Sequence, residues 1–128
     1  MIISLGTDLI EVARIRAALE NSTIGRRFQK RVFTDTEITY CEKRQRKYES
    51  YAARFAAKEA VMKALGRGWG SKVAWLDIEV VNAPGGAPRV DLHHNSAKLA
   101  RELGIERFAL SLTHTEEHAM AFVIAQSE

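Results

Sequence analysis

The most constraining feature of this sequence is an alanine-rich segment, SYAARFAAKEAVMKAL, at residues 50–65. Six of its sixteen residues are alanine, which has the highest helix propensity of all residues and leaves a slim surface for close packing. Gly66 follows directly, and a glycine at that position is typical of a helix end. The sequence therefore predicts a long central helix against which the other elements pack.

The flanking segments predict strands and shorter helices. A strand over 2–10 contains Gly6, which indicates a bulge or a close backbone approach. Thr34 and Glu37 have the spacing of a capping box, so a helix should begin there. The other predicted elements, in chain order, are a helix over 12–19, a further turn or two through Phe28, a mobile loop over 66–71, a strand over 76–80, a turn at 84–86, a strand over 89–92, a helix over 96–103 and a hairpin over 108–125. This order predicts a compact α+β fold, a single domain over residues 1–128 with an antiparallel sheet.

Composition narrows the class of protein. Apolar residues make up 46% and charged residues 27% of the 128 residues, which is usual for globular domains. No run of about 18 apolar residues is present, so the sequence predicts no membrane span. Cys41 is the single cysteine, and the N-terminus lacks a secretory signal pattern. We expect a soluble cytoplasmic protein.

Positive charge is concentrated in the first half of the chain. Between Val12 and Tyr48 there are ten basic but four acidic residues, although the net charge of the whole chain is +3. Such a region attracts nucleic acid, an anionic membrane or an acidic protein. The alternative interpretation is a solvated helix face.

Asp8 and Glu59 are candidate metal ligands. Asp8 interrupts an apolar strand, where an ionised carboxylate is costly unless it is paired or binds a metal; alternatively, it caps the next helix. Glu59 and Lys63 share a helix face, where the alternative is a surface ion pair. Arg54 and Lys58 border that face, and a carboxylate among cations suits a magnesium–phosphate site.

Other patterns are less informative. The loop after Gly66 is not a P-loop, because no Gly-Lys-Ser/Thr follows it. His114 ends a predicted strand, where a histidine is usually structural. His114 and His118 do not form a convincing zinc site, because no third ligand is spaced suitably.

Four segments resemble the signatures of the holo-acyl-carrier-protein synthases, in the order of that family. They are ISLGTDLIEV with Arg14-Ile15 at residues 3–15, FTDTE at 33–37, RFAAKEA with KALG at 54–66, and SLTHT at 111–115 with Ala119 and Ala121. Thr7 departs from the larger apolar residue that is common there. The match is weak between about Gly66 and Ile105, so the resemblance assigns a role to Gly66 alone in that stretch.

The resemblance implies a Mg²⁺-dependent 4′-phosphopantetheinyl transferase. Such enzymes move the phosphopantetheine arm of coenzyme A to a serine of apo acyl carrier protein, release adenosine 3′,5′-bisphosphate and support fatty acid biosynthesis. It implies that Asp8 and Glu59 bind Mg²⁺ and that Lys63 contacts the pyrophosphate. The base for the serine is either Glu59 or a water bound by the ion. The remaining residues implied in coenzyme binding are Arg54, Lys58, Gly66, His114 and Thr115.

The resemblance also implies partners. Short members of the family are homotrimers with active sites between adjacent subunits. Acyl carrier proteins are small and acidic, which would account for the basic stretch, and we expect docking through Arg14, Arg27 and Arg31 with Phe28 as an apolar anchor.

Two other interpretations stay open. A nucleic-acid-binding domain would use the basic stretch, but it leaves the two carboxylates unexplained, and no helix-turn-helix or zinc spacing is present. A diverged interaction subunit would keep the fold without the chemistry, but Asp8, Glu59 and Lys63 are all present. We therefore favour the enzyme, with no nucleic acid or membrane as partner.

Overall fold

The computed structural model describes residues 1–66 and 73–128 and shows an α+β fold, which confirms the predicted fold class. Within these ranges, no helix combines the length and the apolar composition needed to cross a membrane. The elements are β1 (Ile2–Glu11), α1 (Val12–Glu20), α2 (Gly25–Val32), α3 (Asp35–Glu42), α4 (Lys47–Ala64), a 3₁₀ turn (Trp75–Asp77), β2 (Ile78–Asn82), β3 (Pro88–Leu92), α5 (His94–Glu102), β4 (Arg107–His114) and β5 (His118–Gln126).

The long helix α4 packs on one face of a three-stranded antiparallel sheet with the strand order β1-β5-β4. β5 alternates between a buried and an outward face. Its buried side chains are small, namely Ala119, Ala121, Val123 and Ala125. Because α4 is also rich in buried alanine, helix and sheet approach closely. β2 and β3 form a separate antiparallel hairpin.

Gly6 is the point of closest approach between β1 and α4. A Cβ built on Gly6 would overlap the carbonyl oxygen of Ala60. The predicted close backbone approach is therefore confirmed, and it brings the middle of β1 against the second half of α4.

The capping box at the start of α3 is also confirmed. Thr34 Oγ1 accepts a hydrogen bond from the Glu37 amide at 3.2 Å, and Glu37 Oε1 accepts one from the Thr34 amide at 2.8 Å. Glu37 Oε2 additionally accepts from the Val80 amide at 2.7 Å. The Glu37 side chain that completes the capping box therefore also attaches α3 to β2.

Several element boundaries differ from the prediction. α4 begins at Lys47 rather than near Ser50, and the residues around Phe28 form the complete helix α2. The predicted strand at 76–80 is wrong at its start: Asp77 accepts a hydrogen bond from the Ala74 amide, the chain makes a 3₁₀ turn and Leu76 is exposed. Of the predicted loop at 66–71, Gly66 ends α4 with a φ of 73°, and the rest lies outside the described residues.

The outer face of the three-stranded sheet is apolar and exposed. Leu9 lies beside Met120, and Thr7 lies beside Phe122, in the β1–β5 register. The exposed fractions are 64% for Leu9, 41% for Met120 and 42% for Phe122. Leu5, 55% exposed, extends this surface along β1. We call Leu5, Leu9, Met120 and Phe122 the outer apolar face.

Candidate functional site

Three predicted site residues meet where β1 crosses α4. Lys63 Nζ lies 3.1 Å from Asp8 Oδ1 and donates a hydrogen bond to the Thr7 carbonyl at 2.9 Å. Glu59 lies one turn earlier on the same helix and is half-buried. The fold thus brings Asp8 to residues more than fifty positions away in the sequence. We call Asp8, Glu59 and Lys63 the carboxylate cluster.

The simpler interpretations of these residues are not supported. The N-cap of α1 is Glu11, which makes no side-chain cap hydrogen bond, so Asp8 does not cap that helix. Among the described residues, the ion pair of Lys63 is with Asp8 and not with Glu59. Lys63 therefore connects α4 to β1 and does not pair with a residue of its own helix.

The electrostatics of the cluster favour a divalent cation. Burial raises the pKa of the Glu59 carboxyl, and the nearby charge of Asp8 raises it further, while Lys63 opposes both effects. Two carboxylates that repel each other in a partly buried place are relieved by a bound cation, and carboxylate oxygens are ligands that Mg²⁺ prefers. No group of three or more His, Cys, Asp or Glu side chains suited to a metal occurs within the described ranges. The remaining ligands would therefore be water and substrate oxygens.

A second cluster of site residues surrounds an open cavity between the end of α3, the first half of α4 and the end of β4. Its described lining contains five basic residues and no acidic one; the five are Lys43, Arg44, Arg46, Arg54 and His114. We call this the cationic cavity. Its charge suits an anionic ligand with more than one negative group.

Arg54 forms one wall of the cationic cavity and is almost fully buried, with 4% exposure. Its Nη2 donates to Asn82 Oδ1 at 2.6 Å, and its Cζ lies 4.0 Å from the centre of the Tyr40 ring. Arg54 Nε is buried without a hydrogen-bond partner among the described residues. A buried donor of this kind is costly unless a ligand satisfies it.

His114 reaches the same cavity from the end of β4. Its Nδ1 lies 2.7 Å from Oε1 of the buried Glu49, and Arg46 Nη1 lies 3.5 Å from Oε2 of the same carboxylate. Thr115, the next residue, is exposed, and its Oγ1 accepts hydrogen bonds from the amides of Glu117 and His118 in the β4–β5 turn. Thr115 is not among the residues that line the cavity.

The predicted role of Lys58 in coenzyme binding does not fit the structure. This lysine is completely buried, and its Nζ contacts Glu37 Oε1 at 2.8 Å and the carbonyls of Trp75 and Ile78 at 3.1 and 2.7 Å. These three contacts use all three ammonium donors. Burial lowers the pKa of this ammonium, and Glu37 opposes that effect. Lys58 therefore has no donor left for a nucleotide, and its role is structural.

The two clusters lie on opposite sides of α4. Arg54 and Lys63 are nine residues apart, which is two and a half helical turns or about 13 Å along the axis. At 100° per residue, the two side chains leave the helix in opposite directions. One ligand bound to both clusters of a single chain would have to pass around the helix.

The predicted docking residues differ in exposure. Arg14 on α1, and Arg27 and Arg31 on α2, are exposed. Phe28 is half-buried, because its ring stacks on Phe55 at 6.5 Å and meets the edge of Phe33 at 6.3 Å. The apolar side chain presented to solvent at the start of α2 is instead Ile24, which is 43% exposed and was not among the predicted docking residues.

Sequence reasoning also missed three cations of the cavity. Lys43, Arg44 and Arg46 belong to the basic stretch, whose charge the sequence attributes to an acidic partner protein. Their spacing contains no signal that separates the two roles, because it is the turn between α3 and α4 that directs them toward His114.

Comparison with known proteins identifies the family. A family model described as the 4′-phosphopantetheinyl transferase superfamily matches residues 4–123. A holo-[acyl-carrier-protein] synthase from Solibacter usitatus is 48% identical over 99% of this chain and 100% of that protein. This chain belongs to the holo-acyl-carrier-protein synthase family.

Solved structures agree with this family assignment. A Helicobacter pylori holo-[acyl-carrier-protein] synthase in complex with coenzyme A is 30% identical, with a TM-score of 0.82 over 95% of this chain and 99% of that one. A Bacillus anthracis synthase in complex with coenzyme A (3′,5′-ADP) is 35% identical, with a TM-score of 0.80 over 100% and 99% of the two chains. The predicted resemblance to this synthase family is confirmed.

Proposed function

We propose that the protein transfers the 4′-phosphopantetheine arm of coenzyme A to a serine of apo acyl carrier protein in a Mg²⁺-dependent reaction. The product nucleotide is adenosine 3′,5′-bisphosphate, and the holo carrier protein serves fatty acid biosynthesis in the cytoplasm. The observation that carries the proposal is the carboxylate cluster at the crossing of β1 and α4 in a chain of this family.

In this reaction, the serine oxygen attacks the phosphorus atom that carries the pantetheine. A new P–O bond forms to serine, and the P–O bond to the nucleotide phosphate breaks. Asp8 and Glu59 are the residues that would hold Mg²⁺, whose charge would stabilise the negative charge developing on the pyrophosphate. Lys63, 54% exposed in its side chain, is placed to neutralise the leaving phosphate oxygen.

The serine hydroxyl must lose a proton to a base. The candidates are Glu59 and a water molecule. Burial and the charge of Asp8 raise the pKa of Glu59 in the metal-free chain, but a Mg²⁺ held by both carboxylates would lower it again. The raised pKa therefore does not choose between the two candidates.

The nucleotide part of coenzyme A would bind in the cationic cavity, at Arg54 and His114. Because this cavity and the carboxylate cluster lie on opposite sides of α4, we propose that one coenzyme A molecule uses the cluster of one chain and the cavity of a neighbouring copy. The outer apolar face supports such an assembly, since exposed apolar patches of this kind mark association surfaces. A homotrimer would satisfy both requirements with closed symmetry.

The acidic carrier protein would dock on α1 and α2. Arg14, Arg27 and Arg31 are exposed there, and opposite charge accelerates and orients such an encounter. Ile24 offers an exposed apolar contact, while Phe28 contributes through its aromatic stack beneath the surface.

The direct test is intact mass spectrometry of an apo acyl carrier protein after incubation with this protein, coenzyme A and Mg²⁺. We expect a mass gain of one phosphopantetheinyl group, and no gain when EDTA is present. An unchanged mass with several folded carrier proteins would overturn the proposed activity, and a full gain in EDTA would overturn the metal dependence.

A further inference from the structure

We propose that Tyr40 is a positioning residue that holds the Arg54 guanidinium in the orientation that binds a phosphate group of coenzyme A. This inference rests on the proposed function, because it assumes that the cationic cavity binds the nucleotide. It adds a residue that neither the sequence patterns nor the carboxylate cluster indicated.

The geometry around Arg54 defines the plane of its guanidinium. Tyr40, on α3, covers one face of the group, with 4.0 Å between Arg54 Cζ and the ring centre. Asn82, at the end of β2, accepts from one edge at 2.6 Å. A face contact and an edge contact from two different elements leave little rotational freedom. Arg54 Nε remains without a partner among the described residues.

An aromatic ring serves this purpose better than a carboxylate would. Arg54 is 4% exposed, and none of the salt bridges between described residues includes it. The π face stabilises a cation but accepts none of its N–H groups in the guanidinium plane. The charge and the free donor of Arg54 are therefore retained for an anion, whereas a carboxylate in the same place would occupy the donors and repel a phosphate.

Tyr40 also contacts a second cation of the cavity. Arg44 Cζ lies 5.2 Å from the ring centre, so the ring supports two of the five basic residues that line the cavity. Both of these contacts are made with the Tyr40 ring. The ring, and not the hydroxyl, is therefore the part that acts, and phenylalanine should replace it.

The chain offers a matched control in Tyr48. Its ring also contacts two cations, Arg16 at 5.2 Å and Lys47 at 5.3 Å, but it lies outside the cationic cavity. Tyr48→Leu therefore removes the same kind of contact without touching the proposed nucleotide site.

The experiment measures binding of adenosine 3′,5′-bisphosphate by isothermal titration calorimetry, together with KM for coenzyme A and kcat. For Tyr40→Leu we expect about tenfold weaker binding and a KM raised by about the same factor, with kcat nearly unchanged, as the loss of a buried cation–π contact implies. Tyr40→Phe and Tyr48→Leu should bind as the wild type does. Tyr40→Met, which fills the space without a π face, repeats the test if the leucine variant does not fold.

A double-mutant cycle with Arg54→Met separates positioning from direct contact. If Tyr40 acts through Arg54, Tyr40→Leu adds little in the Arg54→Met background. Equal losses in both backgrounds, wild-type binding by Tyr40→Leu, or a Tyr40→Phe variant as weak as Tyr40→Leu would overturn the proposal. A wild-type protein that neither binds the nucleotide nor modifies a carrier protein would instead overturn the proposed function.

Discussion

The ion pair between Lys58 and Glu37 is fully buried and connects α4 to α3. Both groups are completely satisfied: Lys58 also donates to two carbonyls, and Glu37 also accepts from two backbone amides. Such a pair is weak evidence for net stabilisation, but removing one partner leaves an uncompensated charge in the interior.

Lys58→Met should therefore destabilise the fold by about 3–5 kcal/mol. Lys63→Met, five residues further on the same helix but exposed, should cost less, about 1 kcal/mol for the lost pairing of Asp8, and abolish transferase activity. Urea denaturation and the carrier-protein mass assay measure the two effects. A stable Lys58→Met variant would contradict the structural role, and an active Lys63→Met variant would contradict the catalytic one.

Glu59 illustrates a conflict between stability and function. Its pKa is raised because burial and Asp8 both disfavour its charge. Neutralising it with Glu59→Gln should leave the melting temperature of the metal-free protein unchanged or higher. Mg²⁺ should raise the melting temperature of the wild type but not that of the variant. Turnover should be lost and not restored by excess Mg²⁺, and the same loss is expected for Asp8→Ala.

Differential scanning fluorimetry with and without Mg²⁺ checks this expectation. Glu102→Gln, which removes an exposed carboxylate on α5, is the control and should keep both the Mg²⁺ response and the activity. A normal Mg²⁺ response in Glu59→Gln would remove Glu59 from the metal site.

At the scale of elements, the contact between β1 and α4 determines where the carboxylate cluster forms. Gly6→Ala places a methyl group against the Ala60 carbonyl oxygen, so strand and helix must separate. We expect a loss of about 1–3 kcal/mol, as for other overpacked sites. Gly85→Ala meets no atom within 4 Å, so any loss there comes from its φ of 96° and not from overpacking. Equal stability of Gly6→Ala and the wild type in urea would show that the contact adjusts freely.

A charge reversal on the surface formed by α1 and α2 should change the KM for one substrate only. Arg14→Glu reverses a charge on this surface and should raise the KM for acyl carrier protein several-fold, while the KM for coenzyme A changes little. Arg101→Glu, an exposed reversal on α5, is the control. Equal effects of Arg14→Glu on both substrates in steady-state kinetics would contradict the docking assignment.

At the scale of the whole molecule, the separation of the two clusters makes the assembly testable by complementation. Asp8→Ala and His114→Ala should each be nearly inactive. Mixed trimers of the two variants, formed by co-expression, should recover activity in about one third of their sites, because one of the three interfaces joins an intact cluster to an intact cavity. No recovery would mean that each chain uses its own two clusters.

The outer apolar face gives a second test of the assembly. Phe122→Arg should reduce the mass seen by light scattering to that of one chain and abolish transfer, because a charge on a buried interface is costly. Leu76→Arg changes a side chain of equal exposure, 42%, that lies outside this face, and it should leave the mass unchanged. A monomeric wild type would contradict the proposed trimer.

Much of the fold was predictable because its signals are local. The alanine-rich helix, the capping box at Thr34 and the β4–β5 hairpin each depend on residues a few positions apart. The start of β2 was missed because Leu76, Ile78 and Val80 alternate as a strand would, while the hydrogen bond from Ala74 to Asp77 turns the chain instead. The full length of α2 was missed because its sequence, GRRFQKRV, contains only two large apolar residues, Phe28 and Val32.

For the candidate site, the amino-acid sequence alone shows which chemical groups are available: two carboxylates, a lysine and a basic stretch, in an order shared with a known family. It did not determine which of them face one another. Spacing along α4 places Lys58 and Lys63 on the helix, but the packing of α3 and β2 buries the first, and β1 gives the second its partner. The side of a helix that is covered, and the strand that crosses it, depend on contacts between distant residues, and only the tertiary structure decides these.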